Sequence, residues 1–585
     1  MQNQQMASKA VVRTISAKAI DGAVRELFYS LTRDLGRPFK GDESRLRRVV
    51  GGWDPLKLGY SPLSPLDFQN SYMPAHFFDR YIFVREMGTD LENEAFEKFL
   101  ATNFQGSMHN ARLAHDKGEY LDDVLREASL LCYRILGEFD YLEVFGQCNH
   151  GPGAAVGVLM RDASLASKCL TLTGTPAAHA AFVEYRLWNT TLDTYLRSFL
   201  PNKGGYDAMV VCGNKLSFVP KKFNSLRTMQ IEPVVNEFLQ LGTGSVIADR
   251  LFRHAGIDLT TQNVANAGLA RWASKHGLLA TIDWSDASGR IWVNLIRRLV
   301  PPAWFEWLMA VRSPVTTYAG KEIPLQMMGT MGNGFTFPLQ TLVFYCLLRA
   351  LARTHNLSEF VSVFGDDCIV DEALMPYVKE FAEQVGFKLN ADKSFEFGAF
   401  RESCGMDAYR GVGCRPFMVE RPNDTSPSGV KAWVYTCFNG IQARYGHVNL
   451  AWTLDWVKWA HDAFELGNLM VVPMRFPTTS GVQVVTPERL FESTPAIYVD
   501  KHGGVSFKYH AFKPERMTVP QDPYYIWALM GKGVPQSFSK GVVPTFGDEF
   551  FQNPQPQPDG TVPAKVGVYK TSRRVYVHTW MYYDL

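Results

Sequence analysis

The chain has 585 residues, 46% hydrophobic and 20% charged, a balance that excludes disorder as its main state and predicts several domain-sized units or one large interlocked enzyme. Lysine plus arginine number 60 against 58 acidic residues, a net charge of +2, so no whole-molecule cationic field gathers nucleic acid and any such site must come from local clustering. No apolar run reaches the roughly 18 residues of a membrane span. The longest, Thr341 to Ala352, is broken by Arg349, and Met1 to Ile20 lacks the apolar core of a signal peptide. The expectation is a protein neither secreted nor inserted in a membrane. Nine scattered cysteines without a C-x-x-C pair point to reduced thiols rather than a disulfide framework or zinc cluster.

In chain order, Gly51 to Leu66 reads as loop, because Pro and Gly interrupt every period. Gly151-Pro152-Gly153-Ala154 marks a second loop. Lys215, Lys221, Lys222 and Arg227 fall within thirteen residues, flanked by strand-like apolar runs. Such a cluster suits a triphosphate, with Arg as a bidentate donor and Lys as a point charge, or equally a solvated surface hairpin. Leu278 to Trp284 is a short apolar run after Gly277 that contains Asp283 and predicts a buried strand. Ile291, Leu295 and Leu299 keep helical spacing until Pro301-Pro302 stops them. A glycine-rich stretch, Met328 to Gly334, leads into a helix from Leu339 to Arg353. Phe360 to Phe364 and Cys368 to Val370 predict a β-hairpin joined by Gly365-Asp366-Asp367. Lys393 follows a further helical stretch. Asn553 to Pro563, with alternating Pro and Gln, reads as linker. Lys565 to Arg574, with nearby Tyr569, Tyr576 and Trp580, could stack on RNA or form a solvated tail. Irregular alternation of helices and short strands predicts an α+β architecture.

Three carboxylates, Asp283, Asp366 and Asp367, converge if the Asp283 strand lies beside the hairpin. Like charges so close are costly unless a cation neutralises them, and oxygen-only ligation with room for waters and phosphates suits Mg²⁺. Two such ions serve phosphoryl transfer. Gly-Asp at a hairpin tip is also ordinary turn chemistry, so the order of elements carries the argument more than the tripeptide does. Asn333, between Gly332 and Gly334, can donate and accept, as reading a ribose 2′-hydroxyl requires.

Asp283-Trp284-Ser285 with Ser288, Met331-Gly332-Asn333-Gly334-Phe335-Thr336-Phe337, and Phe364-Gly365-Asp366-Asp367 resemble motifs A, B and C of the RNA-directed RNA polymerases, or replicase β subunits, of single-stranded RNA bacteriophages of the Qβ type. Val219-Pro220-Lys221 with Arg227 and Ile231-Glu232-Pro233 resembles the family's basic fingers segment. Gly256-Ile257-Asp258-Leu259 with Gln262 and Asn263 resembles the run ahead of motif A. Gly386-Phe387 with Asn390, Lys393 and Phe395 resembles motif D, and Phe400-Arg401-Glu402-Ser403-Cys404-Gly405 a replicase signature. The legible stretch runs from about Phe145 to Phe417. One departure stands out: motif A commonly carries an aspartate six residues after the first, and that position is Gly289 here, with an unexpected carboxylate at Asp286.

The resemblance implies an α+β right-hand polymerase with an antiparallel palm sheet bearing the catalytic aspartates. Residues 1–130 would form an N-terminal extension and part of the fingers, 131–277 the fingers, 278–410 the palm, and 411–585 the thumb and C-terminal region. It implies metal binding and catalysis by Asp283, Asp366 and Asp367, with two Mg²⁺ ions, and Lys393 as general acid. Lys221, Arg227, Ser288 and Asn333 would bind the nucleotide. The implied partners are template and nascent RNA, nucleoside triphosphates, and the bacterial elongation factors Tu and Ts, in the cytoplasm of an infected host. A reverse transcriptase, or a catalytically silent RNA-binding protein built on the same palm, would share much of this pattern.

Overall fold

The computed structural model describes residues 13–39, 53–57, 63–83, 90–115, 120–160, 163, 165–190, 192–193, 209–222, 225–484, 497–499, 505–520 and 561–577. Helices alternate irregularly with short, mainly antiparallel strands, the mixed architecture expected from the sequence.

The larger core is built around the Thr336–Thr354 helix, nearly every residue of which is buried. It packs against the Tyr120–Leu136 and Val234–Ala255 helices, each of which buries a long apolar stripe. The Val234–Ala255 helix follows Pro233 and ends where Gly256 takes φ +70°, a left-handed C-terminal stop. The sequence places the start of the central helix at Leu339, whereas it begins at Thr336. Pro301-Pro302 ends the Val293–Leu299 helix as expected, and Pro302 also opens the Pro302–Val311 helix, because its fixed φ suits a first helical turn.

A three-stranded antiparallel sheet lies beside this core, with Leu279–Ile282 at one edge, Asp367–Asp371 in the middle and Val361–Phe364 at the other edge. A second sheet joins Ser225–Ile231, Asn214–Lys222, Val315–Tyr318 and Lys321–Pro324 in that order. The Phe400–Ser403 and Met406–Tyr409 strands form a third with Val412–Gly413. Arg401 fixes that third sheet in place. It is fully buried, and its guanidinium donates to the carbonyls of Glu396, Gly398 and Phe400 at 2.8–2.9 Å and of Leu279 at 2.8 Å. A buried cation satisfied by backbone oxygens ties the signature strand to the strand that leads to Asp283.

A separate core joins the first described helix to a stretch some four hundred residues later. Val24, Leu27, Phe28 and Leu31 of the Ala17–Asp34 helix pack with Phe77, Val434, Trp456 and Val457. Asp34 closes this contact by accepting from the backbone N–H groups of Trp452 and Thr453 at the start of the Ala451–Ala463 helix.

Two expectations are corrected. The loop expected to run to Leu66 ends earlier, since Ser64 caps a helix from Pro65 to His76; residues 51–52 and 58–62 lie outside the described residues. The basic C-terminal segment is not a tail. Residues 561–577 form one strand paired antiparallel with Val505–Pro520, so the expected linker ends before Thr561. Residues 553–560 and Trp580 lie outside the described residues. All nine cysteines are free thiols, and among the described residues no helix is long and apolar enough to cross a membrane.

Candidate active site

The strand register brings the carboxylates together. Ile282 pairs with Cys368, so the next residues along, Asp283 and Asp367, face each other at the end of the sheet. Asp366 sits in the tight turn beside them. The hairpin loop is two residues, Gly365-Asp366, because Phe364 pairs directly with Asp367. The sequence reading placed Asp367 in the turn; it is the first residue of its strand. Gly365 has φ +65°, and a Cβ there would stand 2.4 Å from the Phe337 ring, so the turn demands glycine. Its N–H donates to Thr341 Oγ1 at 3.0 Å, and Phe337 packs edge-on against Phe364. The glycine-loop motif thus supports the hairpin turn.

Trp284 anchors the other carboxylate. Its ring stacks on Phe344 of the central helix with centroids 5.0 Å apart, and its Nε1 donates to Cys368 Sγ. Asp283 is then held from one side by the 390–394 turn. Asn390 donates through Nδ2 to Asp283 Oδ2 at 2.6 Å and through its backbone to Asp283 O at 2.9 Å, while Ser394 Oγ accepts from Asp283 N–H. Ser403 Oγ donates to Asp367 Oδ1 at 3.4 Å, and Asn266 Nδ2 to the Asp367 carbonyl at 3.2 Å.

These groups share one electrostatic neighbourhood. Burial, then repulsion from Asp366, then from Asp283, pushes the Asp367 carboxyl up to about 6. Burial also raises Asp283, with Asp366 and Glu402 adding to it and Lys393 and Asn390 opposing. Lys393 donates to Glu402 Oε1 at 3.0 Å; burial would lower its pKa, but Glu402 and Asp283 hold it above the ordinary lysine value. Lys221 is lowered by partial burial, then by Arg227 and Lys98, and its field includes Asp283 and Lys393. Among the described residues no three carboxylate, imidazole or thiolate groups stand ready to ligate a metal. Asn390 and Ser403 hold the flanking carboxylates in hydrogen bonds instead.

Raised carboxyls carry a stability consequence. Asp367 favours its neutral form in the folded chain, so its contribution is fully present below about pH 4 and is lost as pH rises through about 6. Asp367→Asn is therefore expected to raise the melting temperature of the metal-free chain above pH 6, by about 1–2 kcal/mol of stability, less than the full shift because the carboxylate keeps some contact with water. The gain should vanish toward pH 4. Thermal unfolding across pH 4–8 measures it, and a variant no more stable than wild type at pH 7.5 would contradict the penalty that burial and repulsion place on the charged form.

Lys221 and Arg227 lie on the Asn214–Lys222 and Ser225–Ile231 hairpin, where Arg227 pairs with Val219 and the ladder shifts at Pro220. Lys222 leans toward Asp79 at 4.0 Å, and Lys215 is exposed at the far end. Ser288 opens a short 3₁₀ turn, half-buried and apart from any hydrogen bond among the described residues. Asn333 is 8% exposed; its Oδ1 accepts from Phe335 N–H at 2.9 Å, just ahead of the central helix, while its Nδ2 has no partner among the described residues. Gly332 takes φ +114°, and a Cβ there would stand 2.1 Å from the Gln230 carbonyl oxygen.

The motif A departure has a physical account. Asp286 takes φ +58° and accepts from Thr102 Oγ1 at 3.0 Å. All three atoms of its carboxyl group lie 3.2 Å from where a Cβ at Gly289 would be. A carboxylate at 289 would collide with the one at 286. The two features are one arrangement.

Sequence reasoning missed Lys98, and named Asn390, Glu402 and Ser403 within motifs without their roles. Lys98 sits in an acidic helical stretch, and only the fold brings it to Lys221.

A family model for the RNA replicase β-chain matches residues 25–442, well beyond the stretch whose motifs are legible. Named relatives are polymerase chains of RNA phages. The RNA-directed RNA polymerase β chain of Escherichia phage MS2 is 35% identical over 55% of this chain and 59% of that protein. The β subunit of Escherichia virus Qbeta is 34% identical over 61% and 60%. The β chain of Enterobacteria phage GA is 31% identical over 64% and 70%. The chain thus spans about three fifths of the length of the first two. Among solved structures, an insertion-loop deletion mutant of the RNA-dependent RNA polymerase of a human picorbirnavirus is 13% identical over 65% of this chain and 86% of that one, with a TM-score of 0.34. This chain belongs to the RNA replicase β-chain family.

Proposed function

We propose that this chain is the catalytic subunit of an RNA-directed RNA polymerase that replicates a single-stranded RNA phage genome. The observation that carries it is the convergence of Asp283 and Asp367, each next to the last residue pair between their two strands, with Asp366 in the adjoining turn and Lys221 of the basic hairpin in the field of Asp283. The phage polymerase names of the relatives support the same reading. On it, 278–410 is the palm of a right hand, 131–277 the fingers, 1–130 an extension and part of the fingers, and 411–585 the thumb and C-terminal region.

Asp283, Asp366 and Asp367 would hold divalent cations. The donor chemistry fits, since all ligands are oxygens and a cation would offset both the burial and the mutual repulsion that raise Asp283 and Asp367; ligation would draw the three together from the hydrogen-bonded arrangement described above. Two Mg²⁺ ions would activate the 3′-hydroxyl and stabilise the leaving oxygen of phosphoryl transfer. Lys221 and Arg227 bind the triphosphate's charge. Lys393, kept protonated by Glu402 and Asp283, holds a proton for the departing pyrophosphate. Asn333 presents its Nδ2 to the ribose 2′-hydroxyl, with Ser288 nearby in sequence to motif A. Template and nascent RNA are the polymeric partners, elongation factors Tu and Ts the host proteins, and the infected host's cytoplasm the setting.

The test is template-dependent incorporation by the purified chain, primed and unprimed, with and without bacterial lysate. Ribonucleotide incorporation supports the reading, deoxyribonucleotide preference on the same RNA makes it a reverse transcriptase, and no incorporation under any condition rejects catalysis. Lys221→Ala and Arg227→Ala are each expected to raise the apparent KM for nucleotide about tenfold, the value of one charge-assisted hydrogen bond. Template affinity should change less. Unchanged nucleotide kinetics with collapsed RNA binding would move the cluster to the template path.

A further inference from the structure

Glu232 lies in the interior directly after the Ser225–Ile231 strand, with 3% of its surface exposed. Its carboxylate gathers four donors from four separate parts of the chain. Oε1 accepts from Asn214 Nδ2 at 2.8 Å and, at 3.4 Å, from Thr330 Oγ1; Oε2 accepts from Ser313 Oγ at 2.6 Å and Gln240 Nε2 at 3.1 Å. Asn214 opens the strand that carries Lys221. Thr330 belongs to the glycine loop that carries Asn333. Gln240 reaches the same loop with its other end, its Oε1 accepting from Gly334 N–H at 3.3 Å. Two residues before Glu232, Gln230 N–H donates to Met331 O at 2.7 Å.

The loop is pressed onto this hub. The absence of a side chain at Gly334 lets it approach Leu241 N, and Gly244 lies against the Gly334 carbonyl, so the contact with the Val234–Ala255 helix is backbone to backbone. A carboxylate is the one side chain that offers acceptors alone to four donors. In a dry interior each donor left without its acceptor carries the full desolvation penalty, so losing the shared carboxylate costs far more than losing any one donor.

We propose that Glu232 is a positioning residue that locks the glycine loop bearing Asn333 to the strand pair bearing Lys221 and Arg227, so that the two halves of the nucleotide site move as one body. The inference rests on the nucleotide-site reading given above. Nothing in it requires Glu232 to touch the nucleotide. Its effect passes through two elements that do.

The experiment compares the full chain with Glu232→Gln, which keeps shape and volume but turns an amide NH₂ toward two of the donors. Ser313→Ala serves as control, because it removes a donor that belongs to neither half. Amide hydrogen exchange is followed over residues 214–231 and 328–336, and ribonucleotide incorporation is measured in parallel with host lysate present. Glu232→Gln is expected to speed exchange in both segments together by about tenfold, as loss of a buried hydrogen bond allows. It should raise the nucleotide KM by about tenfold with a smaller change in kcat, and relax ribose preference, as uncoupling of a binding site predicts. Ser313→Ala should leave exchange in both segments near wild type. Exchange that stays at the wild-type rate in either segment of Glu232→Gln overturns the proposal, as does equal loosening by Ser313→Ala. If Glu232→Gln does not fold, Thr330→Val decides: faster exchange confined to 328–336 supports the lock, and an unchanged loop rejects it. A wild-type chain that incorporates no nucleotide would sink the polymerase reading alone, since exchange still reports the lock.

Discussion

Asp283→Asn and Asp366→Asn are each expected to lower nucleotide incorporation by at least about 10³-fold, the scale of several kcal/mol of charge stabilisation at a metal-assisted transition state. RNA affinity should stay within about twofold, because the phosphate-binding charge resides on other residues. Asparagine keeps the size and one carbonyl oxygen, so the fold has no reason to fail. At Asp283 the Asn390 bond can persist to that oxygen, which leaves the loss of negative charge as the main change. The two substitutions also remove a repulsion, so loss of activity should come with equal or greater stability. Incorporation in Mg²⁺ within tenfold of wild type by either variant would refute the metal assignment. Loss of activity with a lowered melting temperature would point to a merely structural role.

Gly332→Ala is expected to cost about 2–4 kcal/mol of stability and about 10²-fold in incorporation, combining a strained backbone with an overlap no rotamer can relieve. A methyl group there would stand 2.1 Å from the Gln230 carbonyl oxygen, so either the loop or the strand must move. Gly36→Ala isolates the strain component, since Gly36 has φ +67° but nothing within 4 Å of its would-be Cβ. Similar destabilisation by both substitutions would mean that the close approach at Gly332 costs nothing.

The residues legible in the sequence are those whose role is enforced by local backbone geometry. A turn that admits only glycine announces itself, as at Gly365, and so does an aspartate ending an apolar strand. The pattern places the Thr336–Thr354 helix from Leu339 to Arg353, three residues late at its start, because Phe335-Thr336-Phe337 reads as loop until the packing of Phe337 on the hairpin is known. The supporting residues were not legible for the opposite reason. Asn390 meets Asp283 across 107 positions and Ser403 meets Asp367 across 36, and no periodicity links residues so far apart. Glu232 stood inside a recognised motif, yet its four donors come from scattered segments, so its work was invisible until they were brought together. The C-terminal strand failed differently. Its basic residues looked like a solvated tail, but backbone pairing with Val505–Pro520 is indifferent to side-chain charge.

The core shared by the Ala17–Asp34 helix and the residues around 430–460 sets a schedule for synthesis. The Ala17–Asp34 helix leaves the ribosome early, but Val434, Trp456 and Val457, against which it packs, are made some four hundred residues later. At about 5–20 residues per second, the apolar face of Val24, Leu27, Phe28 and Leu31 waits on the order of 20–80 s for these later partners. During that interval Phe77 and Phe78 can cover Phe28, but the part of the face that meets the later helices stays open while the central helix and its strands assemble. Any product that stops short of residue 430 lacks the later half of this core, so incomplete chains should be held by chaperones or aggregate rather than accumulate as soluble fragments.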